Sequence, residues 1–320
     1  MQAMKRVGLL DVDSHNFPLL PLMKLSAWHK AQGDYVEWYD PWNGLVNEYD
    51  IVYATKVFSF TDDYEHPIYA KEVVKGGSGY CIKLINGKEV YDTEKDIPLS
   101  HEIEHMYPDY SLYPELCKDT AYGKLTVGCP RNCAFCHTTQ KDGCKSIKNA
   151  DLSEFWNGQK NIVLLDQNIL ACREHMELLQ QLIDSKASVE FNGGLDIRLI
   201  TERNIELIKQ VKIKAIHFAY DRYQDKKIVE PRLKLFKDKT GWDRHKIMVY
   251  VLVNFDTTIE QDIERIQFCR GIDLAPYVMI YDKEHCKPIY RRLQRWVNSY
   301  FVFMSCKTFD EYTRKGAEQE

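Results

Sequence analysis

The sequence has no apolar run long enough to cross a membrane and no marked excess of either charge. A membrane-spanning helix needs roughly 20 consecutive apolar residues, so the transmembrane class is excluded. Lys and Arg number 43 against 47 Asp and Glu, and the formal net charge is -4. This balance gives no overall basic field for a nucleic acid, although a local basic patch is compatible with it.

We expect no secretory signal at the N-terminus, and the cysteines are too sparse for a disulfide scaffold. The apolar run at residues 7–11 is shorter than the hydrophobic segment of a signal peptide. Ten cysteines in 320 residues are far fewer than small disulfide-rich domains carry. We therefore expect a cytoplasmic protein that keeps its thiols reduced.

Three of the ten cysteines stand close together, at Cys129, Cys133 and Cys136, and the other seven stand singly. The spacing C-x3-C-x2-C lets three thiolates converge on one metal centre from a single loop. Three ligands leave one iron of a 4Fe–4S cluster without a protein ligand, and an open iron can hold a substrate or a cofactor. The alternative is a closed site for zinc or a structural cluster, with Cys144 or His137 as fourth ligand.

The first part of the chain alternates strands and helices. Strand-like runs lie at 7–11, 35–39 and 49–54, and a helical run lies at 20–30, so we predict a small parallel α/β domain over residues 1–91. Residues 92–120 show no clear periodicity and contain several prolines, and they are predicted to connect two domains.

The connector contains a zinc-protease pattern, His101-Glu102-Ile103-Glu104-His105. That chemistry needs a helix long enough to fix both histidines on one face, and a third ligand. Prolines at 98 and 108 leave little room for such a helix. We therefore favour a charged, solvated turn of helix over zinc hydrolysis.

From residue 121 the pattern becomes regular. Apolar strand-like runs occur at 124–127, 162–165, 189–191, 215–219, 247–253 and 277–281. Helical spacing appears at 173–184, 201–211 and 258–270. This alternation predicts parallel strands with right-handed crossovers, and six units make a partial (β/α)6 barrel of TIM type over residues 121–285. Residues 286–320 are predicted to form a C-terminal helical segment.

The cysteine motif, with Phe135 before the third cysteine, resembles that of the radical SAM enzymes, and the resemblance covers roughly residues 120–285. It implies that Cys129, Cys133 and Cys136 hold a 4Fe–4S cluster whose open iron binds S-adenosylmethionine (SAM). Reductive cleavage of SAM would then give a 5′-deoxyadenosyl radical that takes a hydrogen atom from substrate. The resemblance also implies an external electron donor such as flavodoxin or ferredoxin.

Polar residues at later strand ends extend the resemblance. It implies that Asp166 and Asn168 stand where the superfamily binds the methionine amino group. Asp196 and Arg198 would reach a ribose hydroxyl or a carboxylate, and Asn254 ends the fifth strand. The plainer interpretation is that Asp166 caps or polarises a helix start and that Arg198 pairs with a nearby acid.

Many radical SAM enzymes carry a cobalamin-binding Rossmann-like domain before the barrel, and residues 1–91 resemble it in part. The cobalt-ligand motif D-x-H-x-x-G corresponds to Asp13 and His15, but Pro18 stands where glycine is expected. We therefore expect the fold without the cobalamin. A cobalamin-dependent methylase and an RNA-modifying methylthiotransferase stay open as narrower alternatives, and the substrate is unassigned.

A basic segment near the C-terminus has two interpretations. Arg291, Arg292 and Arg295 could contact RNA phosphate while Trp296 stacks on a base. Alternatively, Leu293 and Trp296 pack an amphipathic helix on the barrel, and the arginines extend into solvent. We favour the packed helix.

Overall fold

The computed structural model describes residues 3–14, 16–85 and 88–312. Up to residue 123 its elements are β1 (Arg6–Asp11), α1 (Leu20–Ala31), β2 (Tyr35–Trp38), α2 (Pro41–Val46), β3 (Tyr49–Thr55), β4 (Ala70–Gly76), α3 (Ser78–Cys81), β5 (Ile82–Ile85), β6 (Lys88–Tyr91), α4 (His101–Glu104), α5 (Pro114–Cys117) and β7 (Thr120–Gly123).

The remaining elements are β8 (Thr126–Val127), α6 (Thr138–Asp142), β9 (Ile147–Lys148), β10 (Asn161–Leu164), α7 (His175–Ser185), β11 (Ser188–Leu195), α8 (Glu202–Gln210), β12 (Ile213–Ala219), α9 (Lys226–Thr240), β13 (Ile247–Val253), α10 (Ile259–Gly271), β14 (Ala275–Ile280), α11 (Pro288–Asn298) and α12 (Tyr300–Ser305). Among the described residues, none of these helices combines the length and apolar character that crossing a membrane requires.

The protein is mixed α/β, as predicted, with two parallel sheets. One has the order β2-β1-β3-β4, and the other has the order β14-β13-β12-β11-β10-β7. The described residues also form two short antiparallel pairs, β5 with β6 and β8 with β9. The chain divides into two compact units: Met1–Gly123, His137–Gly143 and Ala150–Ile162 form the first, and Lys124–Cys136, Cys144–Asn149 and Val163–Glu320 form the second.

In the first unit, α1 buries one face against β1 and β3. Leu22 and Leu25 pack with Val7, Leu9 and Ile51 in one core cluster, which is the predicted helical spacing of three and four. The same cluster is covered by side chains of the segment predicted as a connector, namely Leu99, Ile103 and Leu112. Three side chains of this segment therefore pack against the core of the first unit.

In the second unit, helices pack on the strands that precede them. Helix α9 buries Val229, Leu233 and Phe236, which are spaced by four and three residues. The ring of Phe236 meets Phe218 of β12 edge-on, with centroids 4.9 Å apart, and both rings are fully buried. Burying one such ring contributes roughly 2–3 kcal/mol.

The predicted strand at 124–127 is wrong as the first strand of the parallel sheet. That strand is β7, at Thr120–Gly123, whereas β8 holds only Thr126 and Val127 and pairs antiparallel with β9. The reason is that the backbone N–H groups of Leu125 and Thr126 donate to the carboxylate of Asp166 instead of to a neighbouring strand. The other predicted strands all overlap strands of the structure.

The C-terminal segment confirms the packed-helix interpretation as far as residue 312. Leu293 and Trp296 of α11 are fully buried, and the indole N–H of Trp296 donates to the carbonyl oxygen of Cys306 at 3.1 Å. Arg291, Arg292 and Arg295 are exposed. The helix is therefore held by its apolar face. Residues 313–320 lie outside the described residues.

Candidate metal centre and adjoining cleft

The three clustered cysteines follow β8 in one tightly turned loop. Gly128 and Asn132 both have positive φ, and the amide N–H of Cys136 donates to the carbonyl of Cys133 at 2.9 Å. Cys129, Cys133 and Cys136 are each partly buried, and none is joined in a disulfide bond. Within residues 3–14, 16–85 and 88–312, no three His, Cys, Asp or Glu side chains are gathered closely enough to hold a metal ion.

Asp166, which follows β10, fixes the start of this loop. Its Oδ1 accepts from the backbone N–H and the hydroxyl of Thr126, both at 2.6 Å, and its Oδ2 accepts from the N–H of Leu125 at 3.2 Å. Burial raises the pKa of Asp166 from 3.8 to about 6, because the donors from Thr126 and Leu125 offset only part of the desolvation. The carboxylate therefore holds the loop and does not cap a helix.

This pKa predicts a stability change with pH. A folded-state pKa above the unfolded value means that the contribution of Asp166 is fully present below pH 4 and is lost as pH rises through about 6. This loss in the free energy of unfolding is on the order of 3 kcal/mol. For Asp166→Asn, whose amide resembles the protonated acid, we expect the wild type to lose stability relative to the variant between pH 4 and pH 7. Urea denaturation of both proteins across this range measures the difference.

Asp109→Asn is the control, because its difference from the wild type should stay constant between pH 4 and pH 7 and should change, with the opposite sign, only at more acidic pH. Burial alone would raise the pKa of Asp109, but hydrogen bonds from Lys30, Ser111 and Ser26 outweigh it, and the pKa is lowered. Its stabilisation is present at neutral pH and is lost as pH falls through that lowered pKa. A constant difference between wild type and Asp166→Asn from pH 4 to pH 7 would contradict the assignment.

Asn168 lies directly behind the cysteine loop. Its side-chain Nδ2 is 3.5 Å from the Sγ of Cys129, and its backbone carbonyl accepts from the hydroxyl of Ser146 at 2.9 Å. The residue is 2% exposed, and its Oδ1 has no hydrogen-bond partner among the described residues. The sequence predicted Asn168 as a site residue but gave no sign of its contact with a cysteine.

A network of ion pairs connects the cysteine loop to the ends of the next strands. Arg131, inside the cysteine motif, donates through Nε to Asp196 Oδ2 at 2.5 Å. Arg198 donates to Asp196 at 2.8 Å and to Asp225 at 2.7 Å. Burial would raise the pKa of Asp196, but the bond from Arg198 and the charges of Arg198 and Arg131 prevail, so its pKa is lowered. Asp196 thus stays ionised as the centre of the network.

A small cleft opens beside Cys133 at the carboxyl end of β12. Its lining combines aromatic rings with two cations and two anions: Cys133, Phe135, Arg198, Ala219, Tyr220, Asp221, Arg222, Asp225 and Val229. Burial raises the pKa of Asp221 to about 6. Guanidinium groups pair well with carboxylates, and carboxylates with ammonium groups. The cleft therefore suits a small ligand that carries both charges.

Aromatic contacts stabilise the part of the loop next to Cys136, the third cysteine. The ring of Phe135 meets Phe255 edge-on at 5.4 Å, and Phe255 meets Tyr281 at 4.8 Å. Asn254 has positive φ, and its amide donates to the carbonyl of Tyr281 at 2.8 Å. Asn254 thus shapes the turn after β13, and it is absent from the cleft lining.

The predicted site residues thus fall into separate groups. Phe135 and Arg198 line the cleft, whereas Asp166 and Asn168 lie behind the cysteine loop. Arg198 does pair with acids, as the plainer interpretation held. Sequence reasoning missed Arg131 and Asp225. The signal for Arg131 was a charged residue placed between two candidate metal ligands.

The zinc-protease pattern forms only a short helix, and part of the cobalt-ligand motif lies outside the described residues. The pattern beginning at His101 forms a helix of one turn, in which the rings of His101 and His105 lie 4.3 Å apart and His105 Nδ1 contacts Glu154 at 2.6 Å. His15, the cobalt-ligand candidate, lies outside the described residues.

Comparison with known proteins adds no relative to this description. No protein-family model matches the chain, and no curated protein matches it with significance.

Proposed function

We propose that this chain is a radical SAM enzyme, in which Cys129, Cys133 and Cys136 hold a 4Fe–4S cluster and the adjoining cleft binds SAM. One observation carries the proposal: Cys133 and Phe135 of the cysteine motif line the same cleft as two arginines and two aspartates. Cysteine thiolates are the usual ligands of such clusters. A cleft lined by both arginines and aspartates suits the amino and carboxylate groups of SAM.

The strand order supports assigning the second sheet to a partial (β/α)6 barrel. From β10 to β14 each strand neighbours the next in sequence, and one α-helix lies between each consecutive pair. In TIM-type barrels, which share this order, functional residues stand at the carboxyl ends of the strands. Asp166, Asp196, Asp221 and Asn254 follow four such ends.

The order of the first sheet supports a Rossmann-like domain. The order β2-β1-β3-β4 is that of doubly wound folds, which bind ligands where the strand order reverses, here beside β1 and β3. Asp13 follows β1, is 5% exposed, and accepts from the backbone N–H groups of Val57 and Phe58 at 2.7 and 2.9 Å. Because these two N–H groups already satisfy the Asp13 carboxylate, we favour a domain that keeps the fold without binding cobalamin.

When bound, the cluster supplies an iron that coordinates SAM and the electron that cleaves its sulfonium bond. The chain supplies binding and orientation. Arg198 and Arg222 would face the SAM carboxylate, while Asp221 and Asp225 would accept hydrogen bonds from its amino group. Phe135 would exclude water from the cleft beside Cys133. Because metal binding and folding are coupled, we expect the loop to close around the cluster as it assembles.

Anaerobic reconstitution with iron and sulfide tests the proposal. We expect about four irons per chain, and dithionite with SAM should then release 5′-deoxyadenosine. Flavodoxin or ferredoxin would replace dithionite in the cell. A protein that loads four irons but releases no 5′-deoxyadenosine with several reductants would overturn the proposal.

A closed zinc or iron–sulfur structural site is the competing function, and it needs a fourth ligand from Cys144 or His137. Cys144 is exposed, and the ring of His137 stacks on Tyr91, with its Nε2 3.3 Å from a carboxylate oxygen of Glu89. Cys144→Ala should therefore leave the iron content unchanged. Loss of metal in this variant would instead favour the closed site.

A further inference from the structure

We propose that Asn168 sets the reduction potential of the cluster through an N–H···S hydrogen bond to the sulfur of Cys129. This inference rests on the proposed function, because it concerns the 4Fe–4S cluster that the cysteine loop would hold. In this inference Asn168 acts on a cysteine ligand of the cluster and not on SAM.

The geometry points to one donor and one sulfur. Asn168 Nδ2 lies 3.5 Å from Cys129 Sγ, within the range of an N–H···S hydrogen bond. A thiolate has no proton to donate and can only accept. Once Cys129 binds iron, the amide nitrogen is therefore the only end of the Asn168 side chain that can hydrogen-bond to it.

The surroundings hold Asn168 in this position. Its backbone carbonyl accepts from the hydroxyl of Ser146 at 2.9 Å and from the N–H of Ala171 at 3.1 Å. The side chain is 2% exposed, so water does not compete for the bond. Its Oδ1 has no partner among the described residues, and a buried carbonyl without a partner costs free energy. A purely structural asparagine would use both ends of its amide, whereas here the nitrogen alone is used, and it faces the sulfur.

The expected electrostatic effect follows from the direction of the N–H dipole. Its positive end faces the sulfur and stabilises negative charge there. The reduced cluster carries one more negative charge than the oxidised cluster, so the hydrogen bond stabilises the reduced form more. Hydrogen bonds to cluster sulfurs are among the factors that set cluster potentials. Removing the donor should therefore make the potential more negative.

Potentiometric titration of the reconstituted protein without SAM, followed by electron paramagnetic resonance, tests the inference. In Asn168→Ala we expect the reduced-to-oxidised ratio at a fixed poise to fall about three- to tenfold, and a tenfold change corresponds to about 59 mV for one electron. Asn168→Asp keeps the size but replaces the donor with a carboxylate, so its shift should be in the same direction and at least as large.

Asn204→Ala is the matched control. Asn204 is also 2% exposed, but it completes the capping box of α8 with Thr201 and donates to the carbonyl of Leu199. This variant loosens the same unit without removing a donor to sulfur, so its potential should equal that of the wild type.

The possible outcomes distinguish the role of Asn168 from the proposed radical SAM function on which it rests. A wild-type potential in Asn168→Ala, or an equal shift in Asn204→Ala, overturns the role of Asn168. Loss of iron from both Asn168 variants, with iron kept in Asn204→Ala, also overturns it, because Asn168 would then hold the cluster rather than tune it. A wild type that binds no cluster overturns both proposals. A cluster whose potential shifts as expected, but which cleaves no SAM, overturns only the proposed function.

Discussion

Replacing Arg265 by methionine is expected to lower the free energy of unfolding by about 3–5 kcal/mol. Arg265 of α10 is fully buried. Its guanidinium donates to Asp262 at 2.5 Å, to the carbonyl of Leu252 at 2.8 Å and to the carbonyl of Tyr220. Methionine fills much of the space of the side-chain stem, but it removes the donor from two carbonyls and the cationic partner from the buried Asp262 carboxylate, which keeps the bond from the Thr257 hydroxyl. Urea denaturation of the two proteins measures the difference.

Two further variants make this prediction specific. In the double variant Asp262→Leu with Arg265→Met the charge of Asp262 is no longer buried without its partner, so this variant should be more stable than Arg265→Met alone. Arg244→Met breaks an ion pair with Asp273 that is partly open to solvent, so it should cost no more than about 1 kcal/mol. If Arg265→Met costs as little as Arg244→Met, the buried pair does not have the role we give it.

Replacing Gly193 by alanine is expected to disturb both stability and the cysteine loop. A Cβ at Gly193 would lie 2.0 Å from the backbone carbonyl oxygen of Asp166, far inside van der Waals contact. The neighbour is backbone, so it cannot swing away as a side chain could. Overpacking of this kind typically costs 1–3 kcal/mol, and occasionally more. Because Asp166 holds Thr126 at the start of the loop, iron content after reconstitution should fall as well.

Gly271→Ala serves as the comparison for Gly193→Ala. A Cβ at Gly271, the last residue of α10, would have no neighbour within 4 Å. Alanine there should leave stability unchanged or raise it slightly, because alanine favours helix. Thermal unfolding and iron analysis of both variants test the contrast. Equal behaviour of the two would mean that the approach of Gly193 to Asp166 is not a constraint.

Elements with regular apolar spacing were predictable from the sequence. Helix α8 repeats Ile205 and Ile208 on its buried side, and β13 is apolar almost throughout. Helix α9 was not predicted, although it is the longest described helix of the second unit. Pro231 stands inside it and lacks the N–H that the helical pattern requires. Burial of Phe236 and its neighbours outweighs that local defect.

In the candidate site, likewise, local spacing was predictable from the sequence, whereas contacts between distant residues were not. The spacing of Cys129, Cys133 and Cys136 is local, so the sequence displays it directly. The bond between Thr126 and Asp166 joins residues 40 positions apart, and the pair of Arg131 and Asp196 spans 65 positions. Such pairs depend on which strand ends become neighbours. Periodicity predicts that a strand exists, but not which side chains meet at its end.

If the cysteine loop binds the cluster proposed above, the short pairing of β8 with β9 would have a kinetic consequence for metal loading. Val127 pairs with Ile147, so the chain that carries the three cysteines starts and ends at the same point. A metal held by one thiol then meets the other two as neighbours within a closed loop, at a raised effective concentration. After the first bond, each later one forms within a single molecule, and much of the entropy of closing the loop has been lost on folding. This two-residue ladder would therefore favour capture of the proposed cluster by one chain over sharing of iron between chains.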